Sequence, residues 1–272
     1  MPEWFQDYCV EMKGLPCVLL RGRVDDSRFQ EILNGLRASC ERQGAHNVFS
    51  WWGIERRYSK REMDEAELFR FLTTTTFEPC GEEVGTTYDY GRVCRRCQNT
   101  GRVLVGSLKL DLSRVPRGAG FSGTLAMDEN VVSERLLSII ETEGLTGCKS
   151  SSVEHCRPHR VNLPQVHQFT VTASVGRMAP PTRCGVDPIS GRAVSEYACA
   201  ECGLRGLNLL SEVSVFRNSY QGQDFVVTED WIGQRIGLLV PGHVTLISRR
   251  AAEVLRIHGA KGFKLEVAHL VR

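Results

Sequence analysis

Apolar positions alternate with polar ones near the start of the chain, at Val10, Met12, Val18 and Leu20, and predict one or two strands. Asp25-Asp26-Ser27 then opens a helix whose apolar face is Phe29, Ile32, Leu33, Leu36 and Cys40, and Gly44 ends it. After Trp51-Trp52, the run Ser59-Lys60-Arg61-Glu62 has the form of a capping box, in which a hydroxyl and a carboxylate satisfy each other's backbone amides. It predicts a helix to about Leu72, followed by a β-branched strand from Thr73 to Phe77.

A strand, loop, helix and strand then follow, and the same succession returns. Val103 to Leu112 alternates as a strand, a Pro/Gly loop follows, and Ser133 to Glu143 reads as a helix closed by Gly144. Later, Leu207 to Phe216 is the strand and Ser248 to His258 the helix, closed by Gly259. Each helix precedes a segment able to return as a strand, Leu145 to Glu154 or Phe263 to Val271. Between the copies, Pro158, Pro164, Pro180 and Pro181 surround an alternating run from Phe169 to Val175, a connector that carries a strand.

The correspondence is tightest at two Cys-x-x-Cys pairs. An offset of 105 residues carries Cys94 to Cys199, Cys97 to Cys202, Leu108 to Val213 and Leu110 to Val215. After an insertion, an offset of 115 carries Ser133 to Ser248 and Gly147 to Gly262. Upstream, Cys80-Gly81 answers Cys184-Gly185. The expected architecture is α+β, with two pseudo-repeated strand–helix–strand units joined by zinc knuckles and an N-terminal α/β extension. The divisions are 1–76 for the N-terminal unit, 77–156 for the first repeat, 157–180 for the connector and 181–272 for the second repeat. One such unit is too small to bury both its faces, so the copies are expected to pack together about a pseudo-twofold axis.

Composition narrows the compartment more than the role. A chain of 272 residues with 42% hydrophobic and 24% charged residues has the balance of an ordinary globular protein. No apolar run approaches the ~20 residues of a membrane span, and the first residues have no basic or apolar leader pattern, which predicts a cytoplasmic protein without a membrane partner. In that setting eleven cysteines are reduced thiols or metal ligands rather than a disulfide framework. A net charge of +2 makes no polyanion track, although Arg92, Arg95, Arg96 and Arg102 gather at the first pair.

The two pairs are the strongest chemical signal. A Cys-x-x-Cys turn aims both sulfurs at one soft cation, and structural zinc takes four such ligands. One arrangement joins Cys94, Cys97, Cys199 and Cys202 in a single four-thiolate Zn2+ site that clasps the repeats. A second gives each repeat its own ion, adding Cys80 and His155 to the first pair and Cys184 and His269 to the second. A third holds no metal, the thiols serving as small buried hydrophobes or as a redox pair, although neither pair opens a helix after a strand as a thioredoxin-like site would. Cys9, Cys17, Cys40 and Cys148 belong to no pattern and are assigned to packing, and Cys156-Arg157-Pro158-His159 has ligand-like spacing without a counterpart.

Catalytic patterns fail in context. Gly118-Ala-Gly120-Phe-Ser-Gly123 matches the dinucleotide fingerprint literally but does not open a helix, so it reads as a loop or hairpin. Neither a deaminase His-x-Glu with Pro-Cys-x-x-Cys nor a protease His-Glu-x-x-His occurs. Glu82 and Glu83 have no partner that would make them an acid–base pair.

The two knuckles, the strand after each, and Leu246 to Leu255 near the end resemble the bacterial double-CxxCG motif proteins over roughly residues 77 to 272. Cys94 and Cys97 match the first knuckle of that family, and Cys199, Cys202 and Gly203 the second, with Gln98 standing where a glycine is expected. The family includes immunity proteins against contact-delivered toxins. The resemblance therefore implies a zinc-binding, non-catalytic protein that neutralises a toxin by direct contact, with Trp51-Trp52 or the loop Gly118 to Gly123 as contact candidates. The alternatives are a zinc-ribbon protein associated with nucleic acid through the arginines of the first knuckle, and an enzyme of unrecognised type.

Overall fold

The computed structural model describes residues 53–125, 128–157, 162–186, 195, 197–236 and 239–272, together with 9–11, 18–20 and scattered positions from 31 to 44. The chain divides into two compact units, one of residues 1–54 with 187–191 and the other of Glu55–Val186 with Arg192–Arg272. In the first, β1 (Cys9–Glu11) and β2 (Val18–Leu20) form an antiparallel hairpin, as the alternation predicts. Glu31, Ile32 and Asn34 are helical, whereas Phe29, Leu33, Leu36, Cys40 and Trp51-Trp52 lie outside the described residues.

The second unit is mixed α+β and mostly strand. Its strands are β3 (Leu68–Thr73), β4 (Thr76–Phe77), β5 (Thr87–Asp89), β6 (Val103–Val105), β7 (Leu108–Leu110), β8 (Phe121–Thr124), β9 (Asn130–Ser133), β10 (Cys148–His155) and β11 (Val166–Val171). They continue as β12 (Cys184–Gly185), β13 (Asn208–Leu209), β14 (Val213–Phe216), β15 (Phe225–Ile232), β16 (Gly242–Ser248) and β17 (Phe263–Val271). A six-stranded sheet has the order β4-β8-β9-β11-β10-β7, and a five-stranded sheet the order β14-β17-β3-β16-β15. Among the described residues no helix is long and apolar enough to cross a membrane.

The two sheets share their pairing senses and registers. β7 runs parallel to β10 with Leu108 opposite Val153, and β14 runs parallel to β17 with Val213 opposite Ala268. Phe121 faces Val132 across the antiparallel β8–β9 pair as Phe225 faces Ile247 across β15–β16. Into the middle of each sheet is inserted a strand from another part of the chain. β11 lies between β9 and β10 with Val166 opposite Ser133, and β3 lies between β16 and β17 with Leu68 opposite Ser248.

This insertion explains the main departure from the sequence reading. The capping box at Ser59 and Glu62 is formed, but the helix it starts covers only Lys60–Glu65 and buries none of its residues. From Leu68 the chain follows a period of two. Leu68 enters one hydrophobic cluster while Phe69 and Phe71 enter another, an arrangement open to a strand with a hydrogen-bonding partner on each side. Residues 55–76 therefore pack with the remainder of the second unit. The expected strands Val103 to Leu112 and Leu207 to Phe216 are each broken in two, as β6 with β7 and β13 with β14.

The shared core lies where both sheets and both longer helices, Glu134–Thr142 and Arg249–Ile257, converge. Phe71, Phe121, Val132, Leu136, Ile140, Phe169, Phe225, Ile247 and Leu255 belong to this one cluster. Phe121 is fully buried and meets Phe71 and Phe169 edge-on at 4.9 and 5.2 Å, and Phe169 meets Phe225 the same way at 5.1 Å. Burying each such ring stabilises by about 2 to 3 kcal/mol, and each edge-on pair adds about 1 kcal/mol. The alternate residues Val131 and Leu246 point the other way, into a separate cluster for each sheet. On the five-stranded sheet, buried Glu266 accepts from Arg56 at 3.0 Å and Arg70 at 3.1 Å, and Arg56 also donates to the carbonyls of Leu209 and Ser211, fastening residues 55–58 to the sheet.

Contacts across the core are reciprocal. Phe225 N donates to Thr146 O at 2.9 Å, and Phe121 N donates to Lys261 O at 3.0 Å. Beside them, a Cβ on Gly147 would stand 2.0 Å from Phe225 O, and one on Gly262 would stand 2.0 Å from Phe121 O. Arg250 reaches the Glu143 carbonyl at the end of one helix, and Arg135 donates to the His258 carbonyl at the end of the other at 3.1 Å. Since φ is +86° at Gly147 and +96° at Gly262, a side chain at either meets both a strained backbone and a carbonyl. Gly147→Ala and Gly262→Ala should each lower stability by about 2 kcal/mol or more in urea unfolding, and a loss under about 0.5 kcal/mol would show that the sheets do not approach this closely.

Candidate metal centre

Two turns present the four cysteines. In the first, Cys94 N donates to Thr100 O at 2.9 Å and Gln98 N donates back to Cys94 O at 2.9 Å. In the second, Cys199 N donates to Leu204 O at 2.8 Å and Gly203 N to Cys199 O at 3.0 Å. Each turn closes through a residue in the left-handed region, Gln98 with φ +58° and Gly203 with φ +77°. The missing glycine of the first knuckle thus costs it no turn. Gln98 takes the glycine conformation, and its side chain donates to Arg95 O at 3.3 Å.

The turns bring all four sulfurs within 4.8 Å of one another. Cys94 Sγ lies 3.9 Å from Cys199 Sγ, and Cys97 Sγ lies 3.5 Å from Cys202 Sγ, so each cross pair joins one turn to the other without a disulfide. Four thiolates around a tetrahedral ion at ~2.3 Å stand about 3.8 Å apart, and these separations bracket that value. The four cysteines can hold a metal ion.

The surroundings favour thiolate at one position and resist it at two others. The amides of Cys97 and Arg96 point at Cys94 Sγ and bring its thiol down to about 7. Burial pushes Cys97 up to about 12, against a hydrogen bond from the Asn99 amide. Burial also raises Cys202, against donors from the Thr100 side chain and the Leu204 amide. A cation among the sulfurs would supply the missing compensation for burying thiolates, while N–H and O–H donors already aimed at sulfur would remain as a second layer of support. Thr100 is buried, and Asn99 fastens the first turn to the segment after β15 by donating to Cys97 O at 2.9 Å and accepting from Arg235 N at 2.8 Å. Neither residue belongs to a motif. Their only sequence signal is that they follow the first pair.

The other residues considered as ligands lie elsewhere. Cys80 is fully buried among Phe77, Tyr88 and Leu108. Cys184 pairs with Leu209 in the β12–β13 hairpin, and burial pushes its thiol up to about 11. His155 accepts from Leu112 N at 3.2 Å and falls in a group with Asp111 and Cys156, while His269 meets Glu212 at 2.6 Å. The group of four at the knuckles includes none of them. Cys184, His155 and His269 are held in β12, β10 and β17, and Cys80 is buried just after β4, so these positions do not converge on either pair.

Two of the four arginines near the first knuckle are engaged. Arg102 stacks on the Tyr88 ring with its guanidinium carbon 4.3 Å from the centroid, and lies 3.5 Å from Glu129. Arg96 pairs across the site with Glu201 at 3.6 Å, leaving Arg92 and Arg95 exposed. Of the stretch Gly118 to Gly123, read as a loop or hairpin, Gly118 to Gly120 is loop, whereas Phe121 to Gly123 belongs to β8, which pairs antiparallel with β9.

Replacing Gln98 by glycine relieves a left-handed side chain but frees the unfolded chain, so Gln98→Gly should be neutral or stabilising by up to about 1 kcal/mol. Urea unfolding showing a loss above about 0.5 kcal/mol would contradict the turn described here. Comparison of the chain with models of known families and with curated proteins finds no match.

Proposed function

We propose that this chain is an internally duplicated, non-catalytic binding protein whose two halves are clasped by one structural zinc ion on Cys94, Cys97, Cys199 and Cys202. The observation that carries the reading is the meeting of two cysteine pairs 105 residues apart at tetrahedral-site separations. Softness selects the metal, since an all-thiolate set of this size suits zinc and leaves no open position for substrate or water. The duplication is supported by the matched registers of the two sheets and by the reciprocal arginine–carbonyl and glycine–carbonyl contacts. Its role would be that implied by the resemblance to double-CxxCG proteins, direct contact with a protein partner such as a toxin. The nucleic-acid alternative is weakened by the engagement of Arg96 and Arg102 with Glu201, Glu129 and Tyr88.

The clasp has a consequence for pH. Cys97 and Cys202, whose thiols burial raises, already lose protons to zinc through the neutral range, and Cys94, held down at about 7, adds a further proton below that value, so affinity falls with pH and more steeply below about 7. A competition titration with a chromophoric chelator should show zinc binding falling below about pH 7. Flat affinity across that range would argue against thiolate ligation. Cys199→Ser with Cys202→Ser should abolish stoichiometric zinc and lower the melting temperature. Unaltered zinc content and melting would remove the clasp. For the role, affinity capture of tagged protein from its native cells with and without nuclease should return a stoichiometric, nuclease-resistant protein, and recovery that nuclease abolishes would favour the nucleic-acid reading.

A further inference from the structure

Asp224 is buried beside the start of the Arg249–Ile257 helix and is fully engaged. Its carboxylate accepts from Ser248 Oγ at 2.8 Å, Thr146 N at 2.9 Å, Thr146 Oγ1 at 3.2 Å and Arg250 Nη1 at 2.7 Å. The corresponding place in the six-stranded sheet is set by shared backbone bonds. Ser248 N donates to Asp224 O as Ser133 N donates to Gly120 O, both at 2.9 Å. Gly120 therefore stands where the other sheet carries Asp224, with Ser133, Arg135 and Lys261 in the places of Ser248, Arg250 and Thr146.

The donors persist there without the acid. Ser133 Oγ accepts from Leu136 N as Ser248 Oγ accepts from Ala251 N, which leaves the Ser133 hydroxyl hydrogen to donate. Arg135 uses Nη2 on His258 O and keeps its other N–H groups. The Lys261 amide lies 3.4 Å from the point a Gly120 Cβ would occupy, and its hydrogen has no acceptor among the described residues. Leu136 fills part of the space with a methyl 2.7 Å from that point, where the other helix has Ala251. What remains is an open cavity of about 200 Å³ whose lining includes the donors Ser133, Arg135 and Lys261, the apolar Leu136 and Ile139, and His258. That is roughly six times the volume of a liquid water, room for a carboxylate on a short carbon stem.

We infer that this cavity binds a carboxylate supplied in trans, replacing the internal carboxylate that Asp224 supplies to the other sheet. The guanidinium, hydroxyl and amide donors take the anionic head and the aliphatic wall takes the stem. The helix start adds favourable partial charge to a site already built from side chains and a cavity. This site is separate from the metal centre and does not rest on it.

The test is amide and arginine Nε NMR of the full chain, titrated at constant ionic strength with acetate, succinate, a blocked aspartyl dipeptide and acetamide. The carboxylates, and not acetamide, should shift Gly120, Lys261 and Arg135 saturably. Arg135→Gln, at an exposed position, should weaken binding at least about tenfold. Gly120→Asp with Leu136→Ala, which rebuilds the Asp224 arrangement, should abolish it. Tighter binding of the dipeptide would assign the group to a protein partner's acidic side chain, and tighter binding of succinate to a small molecule. Either outcome upholds the site. No saturable shift with any carboxylate, an equal response to acetamide, or a response unchanged in Arg135→Gln would overturn it.

Discussion

The close approach of backbone to backbone across the shared core constrains everything else in the second unit. Where Gly147 meets the Phe225 carbonyl and Gly262 meets the Phe121 carbonyl, no side chain can stand between the segments. The Phe225 and Phe121 amides complete each contact by donating to Thr146 and Lys261. With the sheets held at this distance, Phe71, Phe121, Phe169 and Phe225 interleave edge to edge, and the polar groups near the helix starts fall opposite the other helix's last carbonyls. These are short-range interactions, so a small displacement of one sheet would disrupt several of them together.

The cysteine cluster follows from that arrangement. Neither cysteine turn carries more than two sulfurs, and each is stabilised by its own backbone bonds, so the turns can exist without meeting. They meet because the sheets that precede and follow them are fixed. The Arg96–Glu201 pair spans the junction, and Asn99, bonded to both Cys97 O and Arg235 N, anchors the first turn to the segment after β15. The exposed ion pair contributes little, on the order of a few tenths of a kcal/mol. A bound zinc ion would contribute far more, on the order of 10 kcal/mol for structural sites, and would then outweigh the polar contacts around the sulfurs.

Much of this was legible in the sequence where the signal is local. The hydroxyl caps Ser133 and Ser248, the helices they start, the strands after Gly147 and Gly262, and the two cysteine turns all depend on nearby residues. What was not legible depends on residues far away in the chain. Leu68 to Thr73 continues an apolar run that a helix also accommodates, and it becomes a strand because β16 and β17 flank it. Cys80 and Cys184 repeat at matching positions like the four clustered cysteines, yet the burial of Cys80 and the strand pairing of Cys184 hold them away from the sulfur cluster. The exchange of Asp224 for Gly120 is visible only once the registers of the two sheets align the positions, because the loop lengths before them differ.

The central claim is that one ion joins four sulfurs from both turns. Zinc K-edge absorption on the purified full chain, with the metal content measured on the same sample, tests it most directly. The account predicts one zinc per chain and a first shell of four sulfurs at about 2.3 Å. A shell containing nitrogen or oxygen, or two zinc ions per chain, would contradict it.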